Sequence, residues 1–311
     1  MMNSLKRFYN QNTKGIWLVI IVIALFIVVL QLANSYIANR NENNTNSLNF
    51  SSQQVNTGNK NIIVTSENTT ALGESVSKDR VTEDSQLITI FINYCNDGNL
   101  EGAYNMLTNE CKEEMFSTLD DFRTYYYGNM FNESKVTFEI ENWVNNTYKV
   151  DIIPDMLATG KANNTVKQDY ITIANENGED KLNINNYIGR SNIEKSEEKD
   201  NVKITVNYKD TYMDYERYNI TIQNNGNTKV ILDSLEDLKT MYIEDRNEIQ
   251  YSAYTHEITN EQMAIDGGTQ STIEIRYYST YVSTKEITRL VFSDFNNGKY
   301  ESESEEFIIN I

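Results

Sequence analysis

An uninterrupted apolar stretch near the N-terminus, Ile16–Leu30 (IWLVIIVIALFIVVL), constrains this chain more than any other feature. It contains no charged residue, no proline and no glycine. Extended by its neighbours, it makes a helix of about 20 residues, which spans a hydrocarbon core of about 30 Å. A continuous helix also satisfies every backbone N–H and C=O group within the bilayer. The sequence therefore predicts one transmembrane helix, placed at residues 15–38, that contacts membrane lipid through Ile16–Leu30.

Basic residues flank this stretch mainly on its N-terminal side. Lys6, Arg7 and Lys14 precede it, only Arg40 follows it closely, and the first 41 residues contain no acidic residue. Because basic flanks stay in the cytoplasm, we expect a cytoplasmic tail at residues 1–14 and the bulk of a single-pass cell-membrane protein outside. The alternative is a cleaved signal peptide, whose apolar core is about 7–15 residues long and precedes a small-residue cleavage site. The residues after the stretch fit such a site poorly.

The rest of the chain is strongly acidic. It contains 27 Lys and Arg against 45 Asp and Glu, a formal net charge of −18. Four of the basic residues and none of the acidic ones lie in the first 40, so the remainder carries −22. Such a surface repels phosphate polymers. We therefore expect no nucleic-acid partner and interpret the acidity as a solubility feature.

Residues 39–84 have the composition of a flexible stalk. They are rich in Asn, Ser, Thr and Gln, and such a stretch cannot bury enough apolar surface to offset its ordering entropy. A flexible coil of this length has ends about 35–40 Å apart. One short apolar segment, Asn61–Thr65, is interpreted as a sticky segment or a transient strand rather than a site.

Residues 82–192 change from helical periodicity to strand alternation. Apolar residues fall at helical spacing in three segments that begin near Thr82, Asn99 and Ser117. After Gly128 the apolar residues alternate with polar ones, which predicts strands. Helices followed by a meander of strands predict an α+β domain in which a curved antiparallel sheet wraps a helix.

The order of these elements, together with Phe91-x-x-Tyr94 and Asn99–Leu107 (NLEGAYNML), resembles the NTF2-like (cystatin-like) cone. The resemblance covers about a third of the chain. The family includes isomerases, hydratases, ligand-binding modules and extracytoplasmic assembly modules, and the fold alone does not choose among them. The resemblance implies that the mouth of the cone is lined by Tyr104, Asp121, Tyr125 and Tyr126. The simpler interpretation, which we prefer, makes them core aromatics and helix-capping acids.

Residues 200–311 contain short strand-like segments at regular spacing, after a charged segment, Ser196–Asp200, that is predicted to be a hinge. The predicted strands are Val202–Tyr208, Tyr218–Gln223, Lys229–Leu232, Glu248–Tyr254, Ser271–Tyr277, Ile287–Phe292 and Glu306–Ile311. This pattern predicts an all-β sandwich that folds alone. Two segments, Tyr218–Asn225 and Asp266–Ile275, resemble bacterial immunoglobulin-like modules. The resemblance implies interaction or spacing rather than chemistry.

Nothing after the anchor is a catalytic, cofactor-binding or metal-binding signature. His256 is the sole histidine, whereas zinc sites need several His or Cys ligands and a catalytic triad needs a partnered base. The chain lacks a Gly-rich phosphate loop and the common hydrolase motifs. Cys95 and Cys111 lie on predicted apolar helix faces, too far apart along the helix axes for the about 7 Å that a disulfide allows.

These features predict a non-catalytic protein-interaction or assembly module of a bacterial cell envelope, with other envelope proteins as partners. The layout is similar to that of anchored NTF2-like components of secretion and conjugation machines. The alternatives are a small-molecule enzyme and a ligand-binding sensor, each using the cone pocket. A deep pocket with a buried carboxylate of shifted pKa favours an enzyme, and a pocket filled by aromatic rings favours the interaction module.

Overall fold

A helical segment followed by antiparallel sheets makes up the described part of the chain. The computed structural model describes residues 64–65, 77–131, 135–154, 165–237, 239–298 and 305–311. The predicted anchor, the cytoplasmic tail and most of the stalk lie outside these residues. Within them, no helix has both the length and the apolar character needed to cross a membrane.

The helical segment begins earlier than the sequence pattern predicts. Helix α1 starts at Lys78 rather than near Thr82, because the Ser77 side chain caps it by accepting a hydrogen bond from the Arg80 N–H. The bounds of the helices are Lys78–Asn96 (α1), Leu100–Asn105 (α2), Asn109–Met115 (α3), Leu119–Asp121 (α4) and Gly128–Met130 (α5). A π-helical segment, Phe122–Tyr127, joins α4 to α5. Thr118 forms the capping box that starts α4, close to the helix start that the sequence predicts near Ser117.

The continuous helix predicted from Asn99 through Cys111 is wrong, since the chain forms two helices there. Between them, Thr108 N–H donates to the Leu182 carbonyl at 3.0 Å, and Leu182 N–H donates to the Met106 carbonyl at 2.9 Å. The Thr108 hydroxyl then caps α3. The helix ends because these backbone groups bond to a distant strand, which a local pattern does not encode.

The first sheet has the strand order β1-β2-β3-β4-β5. Its strands are Val64–Thr65 (β1), Val136–Val144 (β2), Thr147–Pro154 (β3), Lys167–Glu176 (β4) and Glu179–Asn183 (β5). The neighbours from β2 to β5 pair antiparallel, while β1 pairs parallel to β2. The apolar segment Asn61–Thr65 of the stalk thus contributes two residues to the edge of this sheet. One face of the sheet and the helices bury a common core, in which Ile88, Phe91, Ile140, Tyr148 and Ile171 lie.

The second part of the chain contains two four-stranded sheets, with the orders β13-β8-β7-β6 and β11-β10-β14-β15, and a two-stranded sheet of β9 and β12. The strands are Tyr187–Lys199 (β6), Val202–Tyr212 (β7), Glu216–Asn224 (β8), Val230–Ile231 (β9), Met241–Asp245 (β10), Gln250–Ser252 (β11), Ala264–Ile265 (β12), Gln270–Tyr277 (β13), Ile287–Phe295 (β14) and Glu305–Asn310 (β15). The short helix α6, Asn260–Met263, precedes β12.

The two four-stranded sheets enclose one hydrophobic core. Residues of one sheet, among them Ile204, Ile220 and Ile275, pack with residues of the other, such as Leu290 and Phe307. Polar contacts join the sheets along one side, where β6 and β15 run close together and Lys199 Nζ lies 2.7 Å from Glu305 Oε2. An isolated backbone bridge between Ala253 and Tyr277 joins the opposite side.

All seven strands predicted for residues 200–311 are present, whereas the predicted hinge is not. Ser196–Lys199 belong to β6 and pair with β7. Strand β10 was not predicted, because its last two residues, Glu244 and Asp245, are acidic and yet buried. The observed strands confirm an α+β, β-rich chain with mainly antiparallel sheets.

We predict that both cysteines are unreactive in the native protein. Cys95 and Cys111 are buried and unpaired, and burial raises the pKa of both thiols, that of Cys111 to about 12. Because the thiolate is the reactive form, an aromatic disulfide reagent should titrate no thiol in the native chain and two after unfolding. A fast-reacting native thiol, or a mass-spectrometric crosslink between Cys95 and Cys111, would contradict this.

We further predict that β6 is needed for the stability of the second part of the chain. A fragment of residues 200–311 lacks β6 and leaves the backbone edge of β7 unpaired, whereas a fragment of residues 186–311 retains it. The longer fragment should show a higher thermal unfolding midpoint and less aggregation, since exposed strand edges template association. Equal melting curves for the two fragments would show that β6 does not stabilise this part.

Candidate functional site

The four residues predicted to line a cone mouth lie in different surroundings. Tyr126 is fully buried, and its hydroxyl donates to Asp169 Oδ2 at 2.7 Å. Tyr125, its neighbour, is 63% exposed. Tyr104 is partly buried. Its pKa is raised mainly by burial and, to a smaller extent, by the charge of Asp121. The structure therefore brings Tyr104 near Asp121, but directs Tyr125 to solvent and Tyr126 into the core.

Asp121 and Tyr104 both hold local structure. The Asp121 carboxylate accepts hydrogen bonds from the Thr118 hydroxyl at 2.7 Å, the Ser117 hydroxyl at 2.9 Å and the Thr118 N–H at 3.0 Å. These bonds hold the pKa of Asp121 below its usual value. The Tyr104 hydroxyl donates to the Phe116 carbonyl at 2.8 Å. An ionised helix cap and a tyrosine bonded to backbone fit the simpler interpretation of these residues.

Aromatic rings fill the space between the helices and the first sheet. Five side chains form this aromatic cluster, each at most 1% exposed: Phe91, Phe116, Phe122, Tyr126 and Phe131. Their ring centroids lie between 5.6 and 6.4 Å apart, mostly in tilted or edge-to-face arrangements. Such geometry is favourable for aromatic pairs. The interior in which a cone pocket would lie is therefore occupied by side chains of the protein itself.

Asp169 is a fully buried carboxylate at the edge of this cluster. It accepts hydrogen bonds from the Tyr126 hydroxyl, from Asn185 N–H at 3.0 Å and from Asn186 N–H at 2.9 Å. Asn185 and Asn186 have φ of +61° and +63°, a left-handed conformation that asparagine tolerates. Burial raises the pKa of Asp169. Asp169 thus holds the turn between β5 and β6 and one core tyrosine in place, which is a structural role.

A second group of buried and partly buried charges joins α3 to the sheet that contains β6, β7 and β8. We call it the junction cluster, and its charged members are Glu114, Arg190, Asp210 and Arg217. Asp210 is 0% exposed and accepts two hydrogen bonds from Arg190, each of 2.9 Å, and one from the Tyr187 hydroxyl at 2.9 Å. Glu114 accepts from the Tyr212 hydroxyl and from Arg217. The two acidic and two basic groups balance.

The contacts of the junction cluster indicate that it stabilises the packing of α3 on the sheet. Burial raises the pKa of Glu114, against the opposing effects of Tyr212 and Arg217. The hydrogen bonds to Asp210 raise the pKa of Arg190, so its guanidinium stays charged. Arg217 Nε is buried without a hydrogen-bond partner among the described residues. Since the other charges are directed at one another, the cluster positions α3 against the sheet.

A cleft of about 290 Å³ opens beside the junction cluster. It lies at the end of the second part of the chain where the loop between β13 and β14 approaches β6 and β7. It is lined by residues 188–191 and 281–283 and by Lys209, Thr211, Glu216 and Lys285. The backbone of Tyr281 donates to the Met213 carbonyl at 2.8 Å, which holds the loop against the start of β8. The cleft thus has walls from strands and from one loop.

Glu216 forms the floor of the cleft together with two lysines. It is 1% exposed. Its Oε1 lies 3.2 Å from Lys285 Nζ and accepts from the Ser279 hydroxyl at 3.2 Å, and its Oε2 accepts from Lys209 Nζ at 3.1 Å and from the Tyr218 hydroxyl at 2.8 Å. Burial by itself raises the pKa of Glu216, but the charges of Lys209 and Lys285 outweigh it, so the pKa is lowered.

The two lysines differ in how many of their N–H groups are used. Lys285, with a side chain 6% exposed, contacts three acceptors, namely Glu216, the Ser279 hydroxyl and the Thr280 carbonyl at 2.7 Å. These satisfy the three donors of an ammonium group. Within the described residues, Lys209 has a single acceptor, Glu216. Lys209 therefore lines the cleft with two donors that make no bond to the described chain.

Aromatic residues and an arginine form a partly exposed surface at the same end of the second part. Tyr254 stacks on Tyr278, and the Arg276 guanidinium lies 4.3 Å from the Tyr215 ring and 5.5 Å from the Tyr254 ring. Glu257 accepts a hydrogen bond from Arg276 at 3.1 Å. Tyr278 is 50% exposed, and Val282, which also lines the cleft, is 42% exposed. We call Tyr215, Tyr254, Arg276, Tyr278 and Val282 the loop surface.

His256 is exposed, with its ring 5.7 Å from that of Tyr254. The described residues contain no group of three or more His, Cys, Asp or Glu side chains placed to hold a metal ion. The residues of the cleft belong to no motif recognised in the sequence. One signal was present, since Glu216 precedes Tyr218, Ile220 and Ile222 at alternate positions, which places the acid on the inward face of its strand.

Comparison with known proteins gives no match: no family model, no curated protein and no solved structure is significantly similar to this chain.

We predict that replacing Asp210 by Asn strongly destabilises the protein. The change removes the buried carboxylate that accepts two hydrogen bonds from Arg190 and lies 3.5 Å from Arg217, and the removal of one partner of a buried ion pair costs about 3–5 kcal/mol. The matched control is Asp266→Asn, because Asp266 pairs with Lys229 at the surface and an exposed pair contributes only about 0–1 kcal/mol. Chemical denaturation measures both free energies of unfolding. Equal losses in the two variants would contradict the bracing role of the junction cluster.

Proposed function

We propose that this chain is a membrane-anchored, extracytoplasmic interaction or assembly module of a bacterial cell envelope, and that it docks to another envelope protein without performing catalysis. The anchor is Ile16–Leu30, the N-terminus is cytoplasmic, and the bulk of the chain lies outside the cell. The first part is an NTF2-like cone and the second an immunoglobulin-like sandwich. The observation that carries the proposal is the exposed loop surface.

The order and packing of the elements support the two fold assignments. In the first part, helices precede an antiparallel meander and pack on one of its faces, which is the layout of an NTF2-like cone. In the second part, two four-stranded sheets enclose one core, as in a sandwich. The absence of a cysteine pair in the second part is compatible with a bacterial module. Fold does not itself imply function, so the support for the docking role comes from the loop surface.

The filled interior of the first part supports a non-catalytic role. The aromatic cluster occupies the position where a cone enzyme or sensor would hold its ligand. The buried carboxylates Asp169 and Asp210 accept hydrogen bonds from groups of the chain itself, with which they hold turns and strands together. An acid or base in catalysis must reach a substrate proton. Asp169 and Asp210 are instead enclosed by tyrosine, arginine and backbone donors of the chain.

The loop surface has the composition of a protein-docking patch. Tyrosine and arginine are enriched among the residues that contribute most to protein–protein affinity, and tyrosine supplies a large rigid contact area with few rotatable bonds. Arg276 is held between two tyrosine rings and by Glu257, so little side-chain entropy remains to be lost when a partner binds. Tyr278 and Val282 add exposed apolar area. The remaining surface is acidic, which argues against a nucleic-acid partner.

The proposal predicts that crosslinks form at the loop surface and depend on it. A photoreactive amino acid at position 278, in the full chain in its own membrane, should give a discrete crosslinked product. The same amino acid at position 90 is the matched control, since Ile90 is similarly exposed, at 46%, on α1. Arg276→Ala should reduce the yield at position 278 by about tenfold, as expected when a central arginine anchor is truncated.

The outcome that counts against the proposal is equal crosslinking at positions 278 and 90, or a product whose yield is unchanged by Arg276→Ala. Circular dichroism of the Arg276→Ala chain is needed alongside, because a loss of yield with loss of fold would not report on docking. In that case Val282→Ser, a change at a residue that is 42% exposed, tests the same surface with less risk to the fold.

A further inference from the structure

The cleft differs from the rest of the protein in the sign of its charge. Of the residues that line it, three are basic and one, Glu216, is acidic, while the chain beyond residue 40 carries a formal −22. Arg190 is neutralised by Asp210 through two hydrogen bonds. Lys209 and Lys285 share the single carboxylate of Glu216. Counted over the lining residues and Asp210, one positive charge is therefore left over, while Glu113 and Glu114, outside the lining, lie 3.9 Å and 3.6 Å from Arg190.

The unused hydrogen-bond donors of the cleft belong to Lys209 and to hydroxyl groups. Lys209 keeps two N–H groups beyond its bond to Glu216, whereas Lys285 uses all three. Thr211 and Ser191 flank Lys209 on the same strand pair, since Ser191 is the partner of Lys209 and Gly189 that of Thr211 in the register of β6 and β7. Neither hydroxyl makes a hydrogen bond to the described residues. An oxyanion placed at Lys209 would meet donors of both kinds.

We propose that the cleft binds a small organic monocarboxylate, with Lys209 as its charged partner and Thr211 as a hydroxyl donor. One excess positive charge matches a carboxylate, and a phosphate dianion would bring a second negative charge into a strongly acidic protein. The apolar side chains of Ile188 and Val282 and the ring of Tyr281 complete the walls, which favours a carboxylate carried by a short apolar body over a bare inorganic anion. This inference does not rest on the proposed docking function.

The test is an NMR titration of the full chain in detergent micelles at constant ionic strength. The probe is N-acetyl-alanyl-alanine, which offers a free carboxylate on a short apolar body, and the control ligand is its C-terminal amide. We expect saturable binding of the acid and at least about tenfold weaker binding of the amide, since a hydrogen bond to a charged group contributes about 1.5–3 kcal/mol. Inorganic phosphate, as the third ligand, should bind more weakly than the acid.

Two variants locate the site. Lys209→Met and Thr211→Val should each weaken binding of the acid, by about tenfold or more for the lysine. Lys203→Met, an exposed lysine on the same strand outside the cleft, should leave it unchanged. Thr211→Val keeps the shape of the side chain and does not touch the Glu216 ion pairs, so it remains informative if Lys209→Met fails to fold. Equal binding of acid and amide, tighter binding of phosphate, or equal affinity in Thr211→Val and Lys203→Met would each overturn the proposal.

Discussion

The hairpin formed by β6 and β7 is the element on which both hydrophobic cores depend. Val202, Ile204 and Val206 of β7 face the core between the two four-stranded sheets, whereas Tyr212, at the far end of the same strand, packs into the core of the helices and the first sheet. A register shift between Val206 and Tyr208 makes this possible. A bulge adds one residue to one strand, and every side chain beyond it changes face.

The change of face also decides which polar groups become buried. Beyond the bulge, Asp210 lies on the face that meets α3, where it joins Arg190 and Arg217, while Lys209 and Thr211 lie on the opposite face beside Glu216. Two groups of charged residues thus lie on opposite faces of the same three strands, β6, β7 and β8. The charges of each group pair with one another, as buried charges must. The exception is Lys209 in the second group, which keeps N–H donors without an acceptor in the described chain. These spare donors distinguish the candidate binding cleft from the junction cluster, whose charges pair with one another.

The loop surface of the second part lies close to the cleft. Val282 belongs both to the wall of the cleft and to the loop surface, and Tyr281 is bonded to the turn that ends β7. A partner bound at the loop surface would therefore lie next to the mouth of the cleft. In the first part, the aromatic cluster fills the space between the helices and the sheet, and Asp169 fixes the turn that carries Asn185 and Asn186.

The sequence by itself determined the features that depend on near neighbours in the chain. The start of a helix near Ser117, the seven strands after residue 200 and the burial of Cys95 and Cys111 follow from local periodicity, and they are observed. The expected anchor at Ile16–Leu30 rests on the same kind of local signal and stays a prediction. Tertiary structure decided the rest. Ser196–Lys199 has the charged composition of a hinge, yet forms a strand because β7 offers it a backbone edge. Glu216 becomes the floor of a cleft only because Ser279, 63 residues away, and Lys285 fold over it. Local patterns record which face a residue prefers, whereas the partner that neutralises a buried charge comes from a distant part of the chain.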